Sequence, residues 1–239
     1  LNRETQADSQ DTGGQDGNAG ATRPVRVWDL ATRLFHWVLV ALIGLSWYSG
    51  ETGDMDLHIR SGMAILTLVI FRVIWGFAGS ATSRFSGFLR SPHAAMKYGL
   101  DLARNRAPRF LGHNPLGGWM VVVLLLSLAV QAGAGLFAND DIFTEGPLAH
   151  LVTKDTSDFL TVVHKTSFNV LLALAAIHIA AALFYWLGKG ENLILPMITG
   201  KKQLDSRDGT PDPRLRNPIA AAAALGAAAF VVWVVVTQI

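Results

Sequence analysis

Five long apolar stretches dominate this chain, at residues 33–49, 58–79, 116–138, 159–187 and 219–237. A helix rises about 1.5 Å per residue and the hydrocarbon core of a bilayer is about 30 Å thick, so each stretch reaches or approaches spanning length. Inside hydrocarbon, backbone polar groups must be satisfied within the segment, which leaves helices as the form for isolated apolar runs. The expected fold is therefore all-α, an integral membrane helical bundle. With 239 residues, 51% hydrophobic and 16% charged, the chain carries less charge than soluble domains of this size do.

Charge is sorted between the connections. The segment between the second and third stretches holds Arg84, Arg90, Lys97, Arg104, Arg106 and Arg109 against Asp101 alone. The segment before the last stretch holds Lys189, Lys201, Lys202, Arg207, Arg214 and Arg216. Glu51, Asp54 and Asp56 follow the first stretch, and Asp140, Asp141, Glu145, Asp155 and Asp158 follow the third, with Lys154 as the one cation. Basic connections stay on the cytoplasmic side, so the N-terminus is expected inside and the C-terminus outside. These basic patches then read as topology signals, and no nucleic-acid partner is expected. The absence of cysteine excludes a covalently attached c-type haem, a cysteine-ligated iron–sulfur cluster and a disulfide.

Composition divides the chain further. Residues 1–22, rich in Gln, Asp, Gly, Asn and Thr, read as a disordered tail. A core of four transmembrane helices is expected over residues 23–202, a cytoplasmic linker over 203–217 and a fifth transmembrane helix over 218–239. Pro24 to Leu30 reads as a short amphipathic lead-in at the interface. A surface helix is expected near 92–104, with Pro108 and Pro115 bracketing the return to the membrane. Residues 193–199 are apolar but too short to span, which predicts an interfacial turn. The fifth stretch, Ala-rich and without histidine or charge, reads as an anchor or packing helix, with subunit docking as the alternative.

Histidines within apolar stretches carry the chemistry. His164 and His178 stand fourteen residues apart, close to four helical turns, so their rings leave one face roughly 21 Å apart along the axis. With alternating directions, His36 lies near the cytoplasmic face and His58 near the periplasmic face. Depth therefore pairs His36 with His178 and His58 with His164, each pair drawn from two helices. Haem iron accepts two neutral imidazoles axially, so two bis-histidine haem b groups stacked across the membrane fit the pattern. Interhelical hydrogen bonding is the competing account for any single histidine, and zinc fits less well because further ligands are missing at each depth.

Other polar residues can be placed around those levels. Arg72, fourteen residues after His58, falls on the same face at cytoplasmic depth, where a haem propionate would pair it. Arg33 could hold another propionate. Snorkelling to the surface competes for both. Lys165 and Arg60 could act similarly at the periplasmic level, with a plain surface role competing. His113 and Asn114, at the cytoplasmic end of the third span, could meet a propionate or a quinone head group, or simply sit at the interface. His93 and His150 fall in loops. Gly62, Gly117, Gly118, Gly133 and Gly135 lie near the two levels, where a flat macrocycle or close helix packing would use them.

Several motifs resemble the bacterial cytochrome b561 family, in particular the branch of b-type cytochrome subunits of nickel-dependent hydrogenases. They are Val27-Trp28-Asp29, Thr32-Arg33-Leu34-Phe35-His36-Trp37, His113-Asn114-Pro115-Leu116-Gly117-Gly118 and Gly135-Leu136-Phe137, then His164-Lys165 and His178. Glu191-Asn192-Leu193-Ile194 and Pro196-Met197-Ile198-Thr199-Gly200-Lys201 extend the likeness. The resemblance implies a four-helix dihaem core ligated by His36, His58, His164 and His178. It further implies an electron-transfer subunit joining a periplasmic c-type cytochrome or redox-enzyme subunit to membrane quinone, alone or in a homo- or hetero-oligomer. A stand-alone superoxide:quinone oxidoreductase or transmembrane reductase is the alternative, and a haem-free membrane anchor the last.

Overall fold

The computed structural model describes residues 22–205 and 211–238. The expected disorder of the tail falls, but for Thr22, outside the described residues. Five helices are long and apolar enough to cross a membrane: α1 (Leu30–Thr52), α2 (Met55–Ala78), α5 (Pro115–Gly135), α6 (Lys154–Leu183) and α8 (Pro218–Gln238). Three short helices join them: α3 (Phe85–Phe88), α4 (Pro92–Ala103) and α7 (Ile194–Thr199). The fold is an all-α membrane bundle.

Local chemistry explains where the helices begin and end. Asp29, Asp54 and Asn114 cap α1, α2 and α5 by accepting from Thr32 N, Leu57 N and Gly117 N at 2.6, 3.1 and 2.8 Å, which satisfies donors a helix start leaves free. Pro115 opens α5 where its missing N–H costs nothing. Gly53, at φ 79°, ends α1 in the left-handed conformation, so α1 and α2 turn back on each other across two residues. Thr153 caps α6, which starts at Lys154, five residues before the start expected from hydropathy. The first turn there is polar, so an apolar count misses it.

Aliphatic side chains from four helices form the bundle core: Leu39 of α1, Ile65 and Val69 of α2, Leu128 of α5 and Leu171 of α6. A second cluster joins α2 to α8, with Ala221, Ala224 and Ala228 against Phe71 and Trp75. Small residues let the two helices approach closely where lipid gives no hydrophobic gain from helix contact. Outward-facing Trp47, Leu126, Val162 and Phe230 stay exposed, as a lipid-facing surface requires.

One end differs from the sequence expectation. Residues 22–26 form strand β1 (Thr22–Arg26), not an amphipathic lead-in, and pair antiparallel with β2 (Lys201–Asp205). β2 lies at the start of the expected linker. Gly200 turns the chain into β2 at φ 80°, and its carbonyl accepts from Val27 N and Trp28 N at 2.9 and 3.2 Å. Val25 and Val27 are fully buried. The alternation that resembled an interfacial segment is the two-residue period of a strand with one face covered.

Candidate functional site

The four histidines meet in two pairs. At one level, His58 of α2 and His164 of α6 face each other with ring centroids 5.9 Å apart and planes at 83°. At the other, His36 of α1 and His178 of α6 lie 6.4 Å apart at 53°.

Backbone carbonyls orient the first pair. His58 Nδ1–H donates to Ser46 O at 2.8 Å, and His164 Nδ1–H donates to Gln131 O at 2.8 Å. A carbonyl only accepts, so the proton sits on Nδ1 and the lone pair on Nε2. The Gln131 side chain completes the setting, accepting from Ser167 Oγ at 2.5 Å and placing its amide nitrogen 3.2 Å from His164 Nε2. Glycines make the room. A Cβ at Gly50 would lie 3.0 Å from His58 Nδ1, and one at Gly135 would lie 2.8 Å from His164 Cε1. Neither Gly50, Ser46 nor Gln131 was singled out by sequence reasoning. A small residue one helical partner away from each histidine was the available signal.

Both rings line a cavity of about 430 Å³ between α1, α2, α5 and α6, a volume typical of ligand sites. Gly62 borders it with nothing near its missing side chain. Lys165 lines it together with Glu51, whereas Arg60 does not. The mouth thus lacks the excess positive charge that would draw in a small anion. A second cleft, of about 380 Å³ between α1, α2 and α8, contains none of the histidines.

Beyond the other pair, several buried nitrogens are short of partners. Arg72 is 3% exposed, so it does not snorkel. Its guanidinium lies 5.3 Å from the ring centre of Phe85 and 5.9 Å from that of Phe88, and Nη1 has no hydrogen bond. Arg33 donates through Nη1 to Ile198 O at 2.5 Å, while its buried Nε is unpaired. His113 packs between Trp28 and Phe88, with centroids 4.8 Å from each, and its Nδ1 is also unpaired. Burial, followed by the charges of Arg72, His178 and His36, pushes His113 down to about 3. It is a neutral ring held inside. Nδ1 of His36 is also unpaired and buried. Among the described residues, no group of three or more His, Asp or Glu side chains could hold a bare metal ion.

Asp29 is the buried carboxylate at this end. It accepts from Thr32 N at 2.6 Å, Ser83 Oγ at 3.1 Å and Trp75 Nε1 at 3.3 Å. Burial pushes its pKa up, but hydrogen bonds from Ser80, Thr32 and Ser83 outweigh that and hold it below the usual range. Asn114 is committed elsewhere: Oδ1 caps α5 and Nδ2 donates to Tyr185 Oη at 2.9 Å. His93 and His150 are exposed.

A family model described as prokaryotic cytochrome b561 matches residues 27–200, a span that holds all four paired histidines and ends before α8. No curated protein sequence matches the chain.

Proposed function

The chain belongs to the prokaryotic cytochrome b561 family, whose members are membrane b-type cytochromes that transfer electrons, and from that premise we propose a transmembrane conduit with two bis-histidine haem b groups. His58 and His164 would hold one, and His36 and His178 the other. The observation that carries this reading is the separation of the facing rings, 5.9 and 6.4 Å between centroids. Two imidazoles that shared one metal ion through bonds of about 2 Å would have ring centres up to roughly 6 Å apart.

The surrounding residues fit the same groups. Haem carries two carboxylates, and buried Arg33 Nε, Arg72 Nη1 and His113 Nδ1 lack acceptors at the His36–His178 level. Charge-assisted bonds from the two arginines would satisfy both sides. Carbonyls of Ser46 and Gln131 hold the rings of His58 and His164 in one tautomer, which steadies the ring and raises its basicity toward a metal. Leu39, Val69, Leu128 and Leu171 fill the space between levels and keep water out. When bound, each haem supplies a one-electron couple, tuned by burial, ligand hydrogen bonds and nearby charge.

In this reading the acidic connections face the periplasm and receive a basic partner, a c-type cytochrome or a redox-enzyme subunit, while quinone reacts at the cytoplasmic level. The cavity beside His164 carries Lys165 balanced by Glu51, and this weighs against a pocket for superoxide.

A reduced-minus-oxidised visible spectrum of the purified chain, with haem quantified as the pyridine complex, tests the proposal. Two low-spin, non-covalent haems per chain are expected, and His164→Ala should remove one and spare the other. A single haem in the parent protein, or two in His164→Ala, would overturn the pairing.

A further inference from the structure

We propose that Tyr98 and Tyr185 form a proton-handling hydroxyl pair that presents one O–H to the carbonyl oxygen of a quinone. The inference rests on the quinone reading above and assigns the residues that serve it.

Tyr98 comes from α4 and Tyr185 from a π-helical turn, Phe184–Gly188, that extends α6. Single π turns shift the register of a helix and recur at functional sites. Here the shifted residue follows His178 by seven positions, about two turns, and is 9% exposed, while Tyr98 is 6% exposed.

Counting protons identifies the free donor. Oδ1 of Asn114 is held by Gly117 N at 2.8 Å, which fixes the amide so that Nδ2 donates to Tyr185 Oη at 2.9 Å. The two phenol oxygens lie 2.8 Å apart. That bond uses one hydroxyl proton of two. Whichever tyrosine donates, the other keeps an O–H without an acceptor among the described residues, in a place where polar groups are normally satisfied.

An ion pair lies behind the hydroxyls. Lys202 Nζ lies 2.6 Å from Glu191 Oε1, with side chains 13% and 15% exposed, and donates to Phe110 O at 2.7 Å. Phe110 packs against Tyr98, and Glu191 N donates to Tyr185 O at 2.9 Å. Burial pushes the Tyr98 hydroxyl up, the bond with Tyr185 pulls it down and the Glu191 charge pushes it up again, for a net rise. The phenol thus stays protonated, a donor. A neutral carbonyl that gains a proton with each electron is the acceptor such a donor suits. Conversion of quinone to quinol takes two electrons, delivered singly by the electron-transfer activity, and two protons. Each proton passes from the free hydroxyl to a quinone oxygen and is replaced from the aqueous side. Quinol oxidation runs the same transfers in reverse.

The test uses purified, haem-loaded full chain in lipid nanodiscs, mixed with a soluble short-tail benzoquinol and followed at the haem absorbance. Tyr98→Phe and Tyr185→Phe keep the ring and remove the hydroxyl. Each should slow quinol-driven reduction about 100-fold and abolish the solvent isotope effect of the parent, with an unchanged dithionite-reduced spectrum. Infrared difference spectra on binding a redox-inactive quinone analogue should shift a tyrosine C–O band in the parent protein. Parent-like rates in both variants, or an unshifted band, would overturn the tyrosine assignment alone. Failure of quinol to reduce the parent would remove the quinone reading and this proposal together.

Discussion

His164 Nδ1 lies 2.8 Å from the carbonyl oxygen of Gln131, and this one bond decides which ring nitrogen faces the cavity. Gly135 is equally near the ring: a Cβ there would meet Cε1 at 2.8 Å and Nδ1 at 2.9 Å. Gly135→Leu must therefore displace the imidazole. Haem content at that level should fall by an order of magnitude or more, in line with the effect of disturbing groups that orient a metal ligand. Gly133→Ala, with nothing within 4 Å, should retain both haems. Equal haem content in the two variants would contradict the argument.

Arg72 tests the other level by potential. A buried positive charge favours the reduced form of a neighbouring redox group, so Arg72→Leu should lower one midpoint potential and leave the other in place. A unit charge about 10 Å away, at an effective dielectric near 20, would shift a potential by about 70 mV. A spectroelectrochemical titration that moved both potentials equally would dissociate Arg72 from the His36–His178 level.

His113 predicts a pH dependence. Its folded pKa, about 3, lies below the ordinary 6.5, so between those values the unfolded chain binds a proton that the folded one refuses. This stability is fully present above pH 6.5 and is lost progressively as pH falls toward 3. His113→Phe keeps an aromatic ring between Trp28 and Phe88 and should flatten the fall in unfolding midpoint over pH 6.5 to 4. An unaltered slope would place the acid sensitivity elsewhere.

The seam between α2 and α8 predicts a stability change without a redox change. Ala228 is fully buried against the Phe71–Trp75 cluster, and Ala228→Leu should cost about 1–3 kcal/mol through overpacking. Ala227→Leu, on the exposed face, should be nearly neutral. Thermal unfolding in detergent reads the difference, and haem spectra of both variants should match the parent.

Much of this architecture was legible because hydrocarbon is an unforgiving solvent. It demands long apolar runs, and it makes each histidine or arginine within them conspicuous, so depth alone predicts which histidines face each other. The groups that serve those histidines were hidden. Gln131 and Ser46 act through backbone carbonyls, which no side-chain pattern reveals. Asn114 looked free for a ligand, but its two amide atoms are spoken for by Gly117 and by Tyr185, and the second lies 71 residues away. Tyr185 itself escapes a regular helical wheel, since a π turn moves it to a new face. β1 was missed because its partner, β2, is so distant in sequence that local periodicity alone had to identify it.

That distance also sets an order of assembly. Arg26 pairs with Lys201, so the first strand is synthesised about 175 residues ahead of the second. At the ribosome's pace of roughly 5–20 residues per second, about nine to thirty-five seconds separate them. Throughout that interval Trp28, Arg33 and the end of the bundle they border stand uncovered, until β2 is made and closes them in. Timing of biogenesis, as well as the finished contacts, thus leaves this pole reachable from water after α1, α2 and α5 have been made.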